Sequence, residues 1–319
     1  MSITKVLGAI ERGRRFLISS HINLEGDSLG SEIAMSFFLK KMHKPHFICN
    51  TSPVPSVYGF LPSLEKVVTS PVRVPVFDTA IILDCSDLER IGKVKQWIKP
   101  DKVIINIDHH MDNKHFGTVN WVNPKGSATG EMLYELFDKA GIGLDENTAL
   151  CLYVAILTDT GGFRYENTTS LTHAVVSRLL ELGIKPPIIF EKIYESHRLA
   201  RMKLLGLALS NLRLSPDNSI AWFVVSQEML KKVGADLQDV EGFIELARAV
   251  RDVRVAIFFQ ELKDNRIKIG FRSKGRINVS KIAHSFGGGG HFAASGCILK
   301  GKLKEIERMV LERVEAALR

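Results

Sequence analysis

Six residues of this sequence are of types that hold divalent cations and stand where a fold can gather them: His21, Glu25, Asp27, Asp84, His109 and Asp159. Carboxylates and imidazoles without a thiolate suit Mn²⁺ or Mg²⁺ better than structural zinc. So many carboxylates in one place repel one another unless a cation sits among them. Six donors exceed the needs of one catalytic metal with open water positions. Two ions about 3.5–4 Å apart, bridged by one carboxylate, form the economical arrangement. Asp84, alone at the end of a central strand, is the candidate bridge. Taken singly, Asp27 reads as a helix N-cap, Asp159 as a turn residue and His21 as a solvated loop residue. Their joint placement at strand ends is what carries weight. His109 and His110 follow each other on extended chain, where neighbouring side chains point in opposite directions, so the two have separate roles. Asp108 stands ready to orient an imidazole.

The elements that must position them are short apolar runs alternating with helical patterns. Arg15–Ser20, His46–Asn50, Ala80–Asp84 and Val103–Asp108 read as strands, continuous in hydrophobicity as in a parallel sheet buried on both faces. Ser28–Met42, Gly130–Ala140, Asp145–Leu157 and Thr168–Leu182 read as helices. The expected fold class is α/β, a doubly wound and mainly parallel sheet. In such a sheet ligands bind outside the carboxyl ends of the strands, where His21, Asp84 and Asp108 to His110 fall. Two prolines break the pattern at Gly183–Pro187, and one long helix is expected over Ile188–Leu212. Beyond it, Ile220–Ser226, Val253–Glu261 and Arg266–Arg272 read as strands, with Asp264-Asn265 as a hairpin turn. Asn278–Phe286 and Lys302–Leu318 read as helices. A smaller α/β lobe joined by a helical hinge is expected, with domains at 1–190 and 215–319 and a linker at 191–214.

Composition narrows the class. The chain has 319 residues and a net charge of 43 − 35 = +8, and its 45% hydrophobic and 24% charged content argues against disorder. No run of 18 apolar residues occurs, which excludes a transmembrane helix on pattern. The first residues carry scattered charges rather than the apolar core of a secretory signal, so the cytoplasm is the expected compartment. Cys49, Cys85, Cys151 and Cys297 stand far apart, suggesting neither a zinc knuckle nor a disulfide scaffold.

In the second lobe, Gly287-Gly288-Gly289-Gly290-His291 precedes an apolar strand, Ala293–Leu299. Glycines let backbone N–H groups approach an anion closely. Arg272-Ser273, at the end of a strand, adds a guanidinium fork suited to phosphate.

With these residues in view the chain resembles the DHH phosphoesterases, in the shorter branch of oligoribonucleases (nanoRNases) and 3′-phosphoadenosine-5′-phosphate (pAp) phosphatases. The carrying segments are His21–Ser31, Asp84–Gly92, Asn106–His110, Leu157–Tyr165 and Phe286–Gly296, in the family's order. The resemblance implies a catalytic lobe followed by a smaller DHH-associated lobe that holds nucleotide. It places His21, Glu25, Asp27, Asp84, His109 and Asp159 on two divalent cations, Mn²⁺ foremost, with Mg²⁺ or Co²⁺ as alternatives. It makes Asp108 and His110 catalytic, and Arg90, Arg272, Ser273, Gly289, Gly290 and His291 substrate-binding. The family's first motif usually reads Asn-Pro-Asp-Gly-Asp, whereas Asn23-Leu24-Glu25-Gly26-Asp27 stands here. Glu25 keeps the charge and adds a methylene. The implied reaction is metal-dependent hydrolysis of di- to pentaribonucleotides to 5′-mononucleotides, of pAp to AMP, or of linear or cyclic dinucleotides. Partners would be short RNA or nucleotide bisphosphates, without long duplexes or membranes, and homodimer formation is left open. The competing expectations are an inorganic pyrophosphatase or exopolyphosphatase and a non-catalytic nucleotide sensor.

Overall fold

The structure, a computed structural model, describes residues 3–290 and 292–318. They form two compact units, 1–196 and 197–319. The first opens with α1 (Ile3–Arg12), β1 (Phe16–Ser19), α2 (Gly26–Lys41), β2 (His46–Asn50), β3 (Val67–Thr69), β4 (Thr79–Leu83), β5 (Val103–Asp108) and β6 (Val119–Val122). It continues with α3 (Thr129–Lys139), α4 (Glu146–Asp159), α5 (Ser170–Glu181) and α6 (Pro186–Phe190). The strand order is β3-β2-β1-β4-β5-β6, and every neighbouring pair is parallel.

The strands read from apolar runs are those with two buried faces. Phe16, Ile18, Ile81, Leu83, Ile105 and Ile107 pack under α1 to α5. Leu17, Ala80 and Ile82 point the other way, onto Phe77, Ile91 and Val94. This alternation follows from the strand's period of two. Because β2 and β4 flank β1, the order of the sheet reverses at β1 and β4, creating a crevice at their carboxyl ends. Helix α2 closes tightly on α4 there. A Cβ on Gly26 would lie 2.4 Å from Thr158 Oγ1, so only glycine permits that approach.

The second unit contains α7 (Leu199–Ser210), β7 (Arg213–Leu214), β8 (Ile220–Val225), α8 (Gln227–Val233), α9 (Phe243–Ala249), β9 (Val255–Glu261) and β10 (Arg266–Ser273). It ends with α10 (Val279–His284), β11 (Gly289–Gly290), β12 (Ala294–Lys300) and α11 (Leu303–Leu318). Its mixed sheet runs β11-β12-β10-β9-β8-β7. Helices α10 and α11 cover one face, and α7, α8 and α9 cover the other. Asp264 (φ 61°) and Asn265 (φ 54°) both adopt left-handed backbone, as a two-residue hairpin turn between β9 and β10 requires. The stretch expected as one helix over Ile188–Leu212 is broken: α6 passes into a π-helical turn at Glu191–Glu195, and α7 restarts at Leu199. Arg198, at the N-cap of α7, is drawn into ion pairs with Asp236 and Asp239, a tertiary demand that the local sequence does not display. No helix among the described residues is long and apolar enough to cross a membrane.

Candidate metal centre

All six expected donors meet at the sheet's carboxyl edge. His21 lies just beyond β1, Asp84 just beyond β4, His109 just beyond β5, and Asp159 closes α4. Glu25 caps α2 and Asp27 sits in its first turn. Asp84 adopts left-handed backbone (φ 50°), unusual for a residue with a side chain, which turns the chain sharply off the strand. Its carboxylate faces two histidines at once: Oδ2 is 3.4 Å from His21 Nε2, and Oδ1 is 3.6 Å from His109 Nε2. Glu25 Oε1 is also 3.4 Å from His21 Nε2. On the other side, His109 Nε2 lies 3.5 Å from Asp159 Oδ2 and 3.8 Å from Asp27 Oδ2. The donors thus form one group of His21, Glu25 and Asp84 and another of Asp27, His109 and Asp159, with a third of Asp84, His109 and His110 overlapping both. Asp84 stands between the two.

The donor set fits divalent cations. These separations are long for hydrogen bonds, but donors about 2.1 Å from a common ion sit about 3 Å apart. His21 Nε2 and Asp84 Oδ2 are buried without a hydrogen-bond partner among the described residues. Leaving such groups unsatisfied costs on the order of 1–3 kcal/mol each, a cost that a shared cation removes.

Protonation follows from the crowding. Burial works against the charged imidazole of His21, but Asp84 and Glu25 outweigh it and push its pKa up to about 10. Burial, with the charge of Asp84 added, lifts Asp159 to about 7 despite the opposing pull of His109. Asp27 is raised well above the usual carboxylate range by burial and by the charges of Asp84 and Asp159. Burial would raise Asp84 too, but His109, His21 and His110 hold it well below that range.

Several positioning residues were not legible in the sequence. Thr129 N donates to Asp27 Oδ2 at 2.7 Å, and Gly130 N donates to Asp27 Oδ1 at 2.9 Å. Asn167 Nδ2 donates to Asp159 Oδ2 at 3.3 Å. Asp108 Oδ1 accepts from His110 Nδ1 at 2.6 Å, while Asn113 Nδ2 reaches Asp108 Oδ2 at 2.5 Å and Asn106 Oδ1 at 2.8 Å. The only available signal for Asn113 was its place three residues beyond His110.

The expected substrate residues are placed unevenly. Arg90 is half-buried near the edge, and its Nη1 donates to Ser86 Oγ at 3.3 Å. Arg272 is half-buried on β10, with Nε donating to Glu245 Oε1 at 2.7 Å. Ser273, the next residue, points to the opposite face, where it is buried and its hydroxyl donates to Ile277 O at 2.7 Å. The structure therefore does not bring the Ser273 side chain beside Arg272. Gly289 and Gly290 form β11 against β12, and a Cβ on Gly290 (φ 135°) would press to 2.7 Å from Ala294 O. His291 lies outside the described residues.

Comparison with known proteins matches residues 15–156 to the DHH family, N-terminal domain, and residues 218–319 to the DHHA1 domain. The chain is 30% identical to a bifunctional oligoribonuclease and PAP phosphatase NrnA of Thermus thermophilus, covering 99% of this chain and 93% of that one. It is 28% identical to the protein of the same name from Bacillus subtilis, covering 92% of each. Among solved structures, an exopolyphosphatase-related protein from Bacteroides fragilis is similar at a TM-score of 0.92 and 27% identity, covering 99% of this chain and 95% of that one.

Proposed function

The chain belongs to the DHH phosphoesterase family, and from that premise we propose that it hydrolyses short oligoribonucleotides to 5′-mononucleotides and pAp to AMP. It is a hydrolase acting on phosphoester bonds. The observation that carries the reading is the convergence of His21, Glu25, Asp27, Asp84, His109 and Asp159 at the switch point of the sheet.

DHH phosphoesterases depend on divalent metal, and the two donor groups are able to hold it. Our reading is two cations, Mn²⁺ foremost with Mg²⁺ or Co²⁺ as alternatives, sharing Asp84. Bound there, they would supply Lewis acidity toward the phosphoryl group and the attacking water. The chain's own groups do the rest. Thr129 and Gly130 fix Asp27, and Asn167 fixes Asp159. Burial works against a charged His110, but Asp108 and Asp84 raise its pKa, which favours the protonated imidazole as a donor to the phosphoryl oxygens. Arg90 meets a further anionic group. In the second unit, Arg272, Gly289, Gly290 and His291 hold the nucleotide. Residues 1–190 act as the catalytic domain, 191–214 as linker and 215–319 as the substrate-binding domain. The nucleotide-processing activity of the relatives supports action in the cytoplasm.

The test is a substrate panel with Mn²⁺: di- to pentaribonucleotides, pAp, linear and cyclic dinucleotides, pyrophosphate and polyphosphate. Mononucleotides from short RNA and AMP from pAp are expected. Phosphate from pyrophosphate or polyphosphate alone would replace this reading with the inorganic one. Binding without turnover would replace it with a sensor.

A further inference from the structure

The second unit holds a cavity of ≈ 870 Å³ that shares no residue with Arg272 or the glycine run. Its wall comes from the turn before β9, the loop after β10, α10 and the last turns of α11. Arg254, Lys274, Arg276, Lys281 and Arg313 line it, and among the described lining residues Asp252 supplies the one carboxylate. None of the five has an ion-pair partner among the described residues. Elsewhere in this unit Arg198, Arg213, Arg248, Arg266, Arg272 and Arg308 each meet a carboxylate. Two of the cavity's cations are even held in place by neutral groups: Lys274 Nζ donates to Val250 O at 3.1 Å, and Arg313 Nε donates to Ser285 Oγ at 3.2 Å. Cations fixed side by side without counter-charge repel one another, and an arriving polyanion relieves that repulsion.

Between the cations lies apolar surface from Ile277, Ile282, Ala317 and Leu318. A cavity of this size suits a nucleotide-sized ligand, with an apolar floor for a planar base and guanidinium forks for phosphate. Ser280 and Lys281 separate this cavity from the glycine run on α10: Ser280 Oγ donates to Gly290 O at 2.7 Å, whereas Lys281 faces the cavity. Arg272, in turn, stands with Glu245 of α9, on the sheet face opposite α10 and α11.

We propose that this cavity is a second nucleotide site, taking a nucleotide with several phosphates and separate from the substrate-holding residues. The phosphates lie among Arg254, Arg276 and Lys281, and the base lies over Ile277 and Ala317.

Calorimetric titration of the full-length protein with ATP, AMP and tripolyphosphate tests the proposal. ATP should bind at one site about tenfold or more tighter than either of the others. Arg254→Ala with Arg276→Ala, and separately Lys281→Glu, should each weaken ATP about tenfold or more while hydrolysis of pAp is unchanged. These side chains are exposed, so the fold survives their loss. ATP binding insensitive to both variants would overturn the site. Tripolyphosphate binding as tightly as ATP would overturn the nucleotide assignment, and displacement of ATP by a single-stranded hexaribonucleotide at lower concentration would assign the surface to RNA. Hydrolysis of pAp in the variants reports on the proposed activity independently.

Discussion

Asp27 caps a helix that begins 102 residues after it: its carboxylate accepts the backbone N–H of Thr129, the first residue of α3. The N-cap position of α3 itself is Ala128, which has no side-chain acceptor, so the amides exposed at that helix start would otherwise be unsatisfied. One carboxylate therefore serves both the fold and the site. Asp27→Ala should cost about 1–2 kcal/mol of stability together with activity. Asp159→Ala should abolish activity with little change in stability, since no helix start depends on it. Chemical denaturation of both variants beside turnover assays makes the comparison, and equal stabilities would remove the capping role.

Asp84→Asn preserves shape and removes the charge between His21 and His109. Turnover should fall at least about a hundredfold, and metal bound per chain should drop. Elemental analysis after dialysis reads the second quantity. A variant with full metal content and activity would show that Asp84 is no ligand.

Asn113→Ala leaves every expected donor in place but releases Asp108 from one partner. Activity should fall about 10- to 100-fold with metal content unchanged. The pH profile should also shift, because the Asp108–His110 pair sets the proton on the imidazole. A fall in kcat without that shift would mean Asn113 acts only in packing.

Without metal, the protein should lose stability as pH rises from 6 to 8. His21 is raised from 6.5 to about 10, so the folded state retains a proton that the unfolded chain releases above 6.5. Asp159, raised from 3.8 to about 7, is already ionised in the unfolded chain and pays for folding by keeping its proton until pH 7. Asp84 is lowered and fully ionised in both states over this range, so it adds no slope. Thermal melts in chelator at pH 6 and 8 should show the higher Tm at pH 6, and Mn²⁺ should raise Tm more at pH 8. A metal-free Tm that climbs with pH would contradict the site's protonation.

Glu25 is the most exposed of the donors, which leaves room for its extra methylene. Glu25→Asp should keep or raise activity, and Glu25→Gln should lower it about tenfold or more. Equal activity in all three forms would remove Glu25 from the donor set.

What could be read in advance tracks with what is local. Phe16–Ser19 and Thr79–Leu83 are buried on both faces and announce themselves as apolar runs. The edge strand Val67–Thr69 is too short to carry a period, Val119–Val122 has its apolar run interrupted by Asn120, and α8 and α9, at seven residues each, fall below what helical spacing reveals. The donors were visible because strand ends are visible. Thr129 and Asn167 were not, since their role lies in hydrogen bonds made across the fold. Ser273 shows the converse case: it follows Arg272 in the sequence, and the alternation of a strand sends the two side chains to opposite faces.

Asp159 joins the other donors from the far end of α4, after both histidines and Asp84 have been laid down in the chain. A ribosome-bound chain that has not yet reached this helix already carries His21, Glu25 and Asp84, but lacks the last member of the group of Asp27, His109 and Asp159. The two groups are therefore completed in sequence as the chain is made, the first before α4 and the second with it.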